Sequence, residues 1–251
     1  MATPDRLPDL SLWSPRWNQE RLNDKELEDR RSFAQGFRML PYQDDEKAFP
    51  SVTQCYHSNL VLGEILRAPW VKVMGVDLAG TKRPGNFITV VALEPTHRRR
   101  VLIAAQRGKW SSPETAKRIA KLNEDVGGCR VILVEDNAYQ SALVDWMRQM
   151  KLDCWPLIRP FTTTGPKKVD PALGVKSLEV EFSNNAWIIP TEWESHEVGC
   201  QCGWCTIKVE LEDYPMASST DGVMSLWFCR QGIDIWSAPS GGATVEGLNV
   251  R

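Results

Sequence analysis

Net charge is nearly absent from this sequence. The formal value of −2 at pH 7 excludes a generally basic nucleic-acid coat, so any contact with a polyanion must be a local patch. No apolar run reaches membrane-spanning length and no secretory signal opens the chain, so no membrane partner is expected. A G-x-x-x-x-G-K-[ST] phosphate loop is missing throughout. The seven cysteines are odd in number and unevenly spread, which argues against a secreted disulfide framework and for a reducing compartment. What is present is a chain of 251 residues, long enough for one large domain or a domain with an appendage. Its eleven tryptophans are expected in a core or an interface.

Residues 1–69 are sparse in apolar side chains and carry Pro4, Pro8, Pro15, Pro41 and Pro50. They are expected to form an arm or linker that packs on the domain that follows. Within it, 20–37 has a helical apolar spacing, with Asn18 as a candidate cap. From Trp70 the pattern becomes α/β. Strands are predicted at 71–77, 86–94 and 100–106, joined by turns too short for a helix and therefore antiparallel. The 97–100 run His-Arg-Arg-Arg sits at the second of these turns and is read mainly as solvated. A helix follows from Ser111 or Ser112 to about Asp125, then a fully apolar strand at 130–134, a helix at 139–150 and a short strand at 154–158. A helix is predicted at 173–182, a strand at 187–190, and a flexible tail over 237–251. The fold class is α/β, a mixed central sheet flanked by helices.

Three acids stand out. Asp77 and Glu135 each follow the last apolar residue of a predicted central strand. If these strands are parallel neighbours, the acids share one end of the sheet, where open α/β sheets bind ligands. Asp221 opens an apolar helical run, with Ser218, Ser219 or Thr220 as candidate caps. Three carboxylates meeting at one sheet edge call for counter-ions. Two Mg²⁺ or Mn²⁺ ions, about 3.5–4 Å apart, would hold them and activate a water for phosphodiester cleavage. Lys82 and Arg83 lie on the loop after Asp77. Arg159, Thr163, Lys167 and Lys168 follow the strand predicted at 154–158. Both groups suit DNA phosphate contacts.

A separate cluster, His196, Cys200, Cys202 and Cys205 in SHEVGCQCGWC, puts four soft ligands within ten residues. It is a candidate structural Zn²⁺ site of Cys₃His type, forming an insertion at about 195–206, with reduced structural thiols or a redox pair as alternatives. His57 and His97 have no ligand partners in spacing. Cys55, Cys129, Cys154 and Cys229 are isolated and expected to be buried small hydrophobes.

The segments GVDLAGTKRPGN, VILVEDNAYQ and TDGVMSLWF together resemble the nuclease domain of the large terminase subunit of tailed bacteriophages, over about residues 70–230. The resemblance implies a ribonuclease H-like fold, with Asp77, Glu135 and Asp221 as ligands of two metals. It implies a metal-dependent endonuclease that cuts double-stranded DNA concatemers during genome packaging. Many relatives carry a second acid just before the last; here that position is Thr220. SLWSPRW and RSFAQGFRMLPYQDDEKAF resemble the region joining the packaging ATPase to the nuclease. Implied partners are DNA, a packaging ATPase domain or subunit, the portal and the small terminase subunit. The implied setting is the bacterial host cytoplasm. Two other classes stay open. GVDLAGTK also looks like the first phosphate loop of sugar kinases of the actin-like ATPase superfamily, although no second Gly-rich loop follows. A non-catalytic assembly module with vestigial acids is the other.

Overall fold

The computed structural model describes residues 18, 21–24, 47–58, 60–78, 85–135, 138–163, 168, 170 and 173–237. The chain divides into two units, Met1–Glu46 and Lys47–Arg251. In the first, residues 21–24 are helical, and Asn18 Oδ1 accepts from the Arg21 N–H at 2.9 Å, the predicted capping bond. The rest of the predicted 20–37 helix and residues 238–251 lie outside the described residues.

The second unit is built on seven strands: β1 (Tyr56–His57), β2 (Val71–Asp77), β3 (Asn86–Leu93), β4 (Arg100–Gly108), β5 (Val131–Glu135), β6 (Ile158–Phe161) and β7 (Trp187–Pro190). Their order in the sheet is β1-β7-β4-β3-β2-β5-β6. Short connections make β2, β3 and β4 an antiparallel meander, whereas β5 joins β2, and β6 joins β5, in parallel. The parallel step needs a crossover, supplied by a helix as expected. The sheet is therefore mixed, as the sequence predicted.

Helices cover both faces. They are α1 (Leu62–Arg67), α2 (Ser112–Asp125), α3 (Ala138–Gln149), α4 (Leu178–Ser183), α5 (Gly203–Asp213) and α6 (Asp221–Ser237). Alternate residues of the central strands feed two cores. Val73, Phe87 and Leu133 pack with Ile207, Val223, Trp227 and Phe228 on one side. Met74, Ile88 and Ile132 pack with Ile119, Leu122, Leu143 and Met147 on the other. Both faces being buried explains why these strands read as continuous apolar runs. Each such side chain contributes roughly 1.5–3 kcal/mol by leaving water. Lys72 is the one cation inside β2. Its Nζ donates to the carbonyls of Leu66 and Ala68 at the end of α1, at 2.9 and 3.0 Å. Burial lowers its pKa from the ordinary lysine range.

Several expectations need correction. The strand placed at 154–158 begins at Ile158, because Trp155–Leu157 form a 3₁₀ turn around Pro156. The helix placed at 173–182 is a 3₁₀ turn, Val175–Ser177, running into α4. Helix α5 had no counterpart in the sequence reading, and neither did β1 and α1. Residues from Lys47 onward belong to the second unit, and Phe49, Val52 and Cys55 lie inside its core. Of the arginines after His97, Arg98 is exposed as expected, but the next two are less solvated. Arg99 pairs with Glu94, and Arg100 is largely buried against Glu181, Asp234 and the Trp187 ring.

Candidate functional site

Strand register brings the first two acids together. Val76 pairs with Val134 in the parallel β2–β5 ladder, so Asp77 and Glu135 are the next residues on adjacent strands running the same way. Adjacent strands lie about 4.8 Å apart. Each acid ends a strand whose preceding residues are buried, which fixes its main chain on the rigid centre of the sheet.

Helix α6 brings the third. Its backbone rests directly on β2 at Gly75: a Cβ there would lie 2.0 Å from the Ser225 carbonyl oxygen. Only glycine permits that approach. The polar contacts agree. Ser225 Oγ donates to the Gly75 carbonyl at 2.9 Å, so the 2.7 Å bond between Thr89 Oγ1 and Ser225 Oγ has threonine as donor. Cys229 Sγ lies 3.5 Å from the Val73 carbonyl. Burial pushes the Cys229 thiol up to about 12, which keeps it a donor. Ser225 over Gly75 and Cys229 over Val73 mean that α6 runs antiparallel to β2. One turn before Ser225, about 6 Å along the axis, is Asp221. Two residues beyond Gly75, about 6.6 Å along the strand, is Asp77. Both steps lead to the same end of the sheet. Asp77, Glu135 and Asp221 are 2%, 9% and 5% exposed.

A fourth acid, missed by the sequence reading, completes this edge. Glu210 on α5 is 1% exposed. Its Oε2 accepts from the N–H groups of Gly222 and Val223 at 2.6 and 3.1 Å, and its Oε1 from the Ser219 hydroxyl. The candidate caps Ser218, Ser219 and Thr220 are thus supplanted by a carboxylate from the preceding helix, placed at the positive end of α6. Burial pushes the Glu210 carboxyl above its ordinary range. The bonds from Ser219, Val223 and Gly222 oppose that rise, and the neighbouring Asp221 adds to it. The signal that could have found it is weak: a Glu in the charged run Lys208–Asp213, eleven positions before Asp221. Glu210→Ala is expected to strand two buried N–H groups and cost about 1–3 kcal/mol. The melting temperature should fall by roughly 2–4 °C per kcal/mol, and Glu210→Gln, which keeps an acceptor, should recover at least half. Equal losses in both variants would contradict the capping role.

Around Glu135, Thr163 Oγ1 donates to Oε1 at 2.7 Å and Lys168 Nζ lies 3.5 Å from the same oxygen. Both residues, read from the sequence as phosphate contacts, thus engage the acid itself. Arg159 is exposed and donates to the carbonyls of Pro156 and Ile158. Lys82, Arg83 and Lys167 lie outside the described residues. The cavity of about 770 Å³ lined by Trp70, Lys72, Gly127 and Arg130 lies at the opposite end of β2 and contains none of the acids.

The second predicted cluster also forms. The ligand atoms of His196, Cys200, Cys202 and Cys205 all lie within 4.8 Å of one another. Among the described residues, this is the only group of three or more such side chains gathered so tightly. The three carboxylates share an edge of the sheet without closing to that spacing. His57 and His97 are exposed, and Cys55, Cys129, Cys154 and Cys229 are buried and unbridged.

With sheet order and helix placement established, the fold is a ribonuclease H-like one: a mixed seven-stranded sheet with flanking helices. It is shared with the large terminase nuclease domain of Thermus phage P74-26, with a TM-score of 0.51 at 15% identity over 73% of this chain and 94% of that one. The large terminase nuclease of the thermophilic phage G20c gives a TM-score of 0.45 at 16% identity, covering 66% of this chain and 83% of that one. The g2p large terminase nuclease domain of bacteriophage SPP1, with bound Mn, gives 0.49 at 12% identity, covering 71% and 95%. No protein-family model and no curated protein matches the sequence.

Proposed function

We propose that this chain is a divalent-metal-dependent endonuclease for double-stranded DNA, the nuclease portion of a large terminase of tailed phages, cutting concatemers during genome packaging. The observation that carries the reading is the convergence of Asp77, Glu135 and Asp221 on one edge of the sheet, through the β2–β5 register and the seat of α6 on Gly75. The fold shared with a terminase nuclease domain supports it.

The donor set fits Mg²⁺ or Mn²⁺, since all three side chains offer hard carboxylate oxygens. Their spread along the edge suits two ions rather than one. Bound there, the ions would lower the pKa of an attacking water and offset charge on the departing 3′ oxygen. The chain's own part is placement. Two acids ride on strand ends and one on a capped helix start, so their positions are set before substrate arrives. Thr163 and Lys168 orient Glu135. Lys82, Arg83, Arg159, Lys167 and Lys168 form the proposed phosphate-contacting set, whereas the Thr163 hydroxyl gives its one proton to Glu135. Such contacts position a duplex without reading its sequence, so low base specificity is expected. The packaging ATPase, the portal and the small terminase subunit are the proposed partners, and the host cytoplasm is the proposed setting.

The test is nicking of supercoiled plasmid. Conversion to open-circular and linear forms is expected with Mn²⁺ or Mg²⁺, none in chelator, and recovery when either ion is restored. Inert protein across both ions and a wide concentration range would reject the reading. ATP-dependent sugar phosphorylation in its place would favour the kinase alternative.

A further inference from the structure

We propose that His196, Cys200, Cys202 and Cys205 form a closed structural zinc site that pins the start of helix α5. The inference does not depend on the nuclease reading.

Geometry carries it. A zinc ion with Zn–S near 2.3 Å and Zn–N near 2.0–2.1 Å at tetrahedral angles sets its nitrogen and sulfur ligands about 3.5 Å apart. His196 Nδ1 lies 3.2, 3.3 and 3.9 Å from the sulfurs of Cys205, Cys202 and Cys200. These distances straddle that value, and all four ligand atoms lie within 4.8 Å of one another. The donors are three thiols and one imidazole, with no carboxylate among them, a set that selects zinc over hard cations.

The chain uses cysteine in two ways. Cys55, Cys129, Cys154 and Cys229 are buried singly as small hydrophobes, whereas Cys200, Cys202 and Cys205 are grouped and at least partly open to solvent. Thiols at the surface gain no burial, so packing does not explain why three of them gather around one imidazole. The backbone prepares the group as well. Cys202 is the N-cap of α5 and its sulfur accepts from the Cys205 N–H. That places two sulfurs at the start of the helix, three residues apart and facing one another. Gly199 turns the intervening loop at φ +88°. Four protein ligands leave no open coordination position, which makes the site structural rather than catalytic.

Its consequence follows from what α5 carries. The cluster ties the segment after the Glu192–Ser195 turn to the first turn of α5. Thr206, one residue past Cys205, meets Arg107 near the end of β4, and Glu210 further along the same helix caps α6 ahead of Asp221. Zinc thus braces the helix whose Glu210 caps the next one, α6, where Asp221 stands.

The experiment is elemental analysis of the full chain purified without chelator. One zinc per chain is expected, retained in Asp77→Asn and lost in the double variant Cys202→Ser, Cys205→Ser. In the unmodified chain, replacement by Co²⁺ should give the visible absorption of a tetrahedral thiolate site, which does not require any variant to fold. Absence of both zinc and the cobalt spectrum overturns the proposal. So does iron in stoichiometric amount, or a disulfide between two of the three cysteines in protein kept under reducing conditions.

Discussion

Asp77→Asn is expected to lower metal-dependent plasmid cleavage at least about a hundredfold while leaving the protein folded. The reasoning is local. Asp77 ends β2, an interior strand of the sheet, beside Glu135 and under the start of α6. Asparagine keeps the shape and one acceptor oxygen but removes the charge that would hold a cation. Metal stabilisation of a phosphoryl transition state is worth several kcal/mol, and each 1.36 kcal/mol is tenfold in rate. The same substitution should abolish any rise in melting temperature that Mn²⁺ produces in the unmodified chain, because a ligand stabilises only the state that binds it. Asp125→Asn is a suitable control: that carboxylate pairs with Lys121 on the exposed face of α2, and activity should stay within about twofold, as for surface pairs generally. Cleavage by Asp77→Asn at more than a tenth of the original rate would remove Asp77 from the site.

Gly75→Ala should be among the most damaging single-methyl additions at the described glycines. The added carbon would lie 2.0 Å from one main-chain oxygen and 3.1 Å from the Cys229 nitrogen, atoms of a helix backbone rather than of a flexible side chain. Neither can step aside without lifting α6 from β2. A cost of about 3 kcal/mol or more is expected, which lowers the melting temperature by roughly 6–12 °C. Gly63→Ala gives the contrast. Its Cβ would meet only the Arg67 guanidinium at 3.7 Å, inside a helix where alanine is the better residue by about 0.5–1 kcal/mol. A Gly75→Ala melting temperature within about a degree of the original would mean that α6 does not lie on β2 as described.

The central strands were legible because burial on both faces leaves uninterrupted apolar runs. β2 matches its predicted limits, and β3, β4, α2, β5 and α3 match within a residue or two. Asp77 and Glu135 could be found because a carboxylate ending such a run is conspicuous. Asp221 was the weaker signal, since an acid at the start of an apolar helical run is ordinary. Glu210 was invisible for a physical reason: its role depends on a helix, α5, whose Trp204, Ile207, Val209 and Leu211 look equally well like a strand or a loop. Its capping bonds reach twelve and thirteen residues forward, beyond any local motif. Thr163 and Lys168 were picked out by composition as basic loop residues, but which atoms they meet depends on the β5–β6 pairing, where Glu135 lies opposite Phe161. The cluster of His196, Cys200, Cys202 and Cys205 was legible because all four lie within ten residues.

The seat of α6 has a consequence for how such a molecule can diverge. At Gly75 the gap between β2 and α6 is gauged by main-chain atoms in contact, an amide carbonyl against an α-carbon. Substitutions can therefore accumulate through the surrounding core without widening or narrowing the space between Asp77 and Asp221. A side chain added at that glycine would reset the gauge directly.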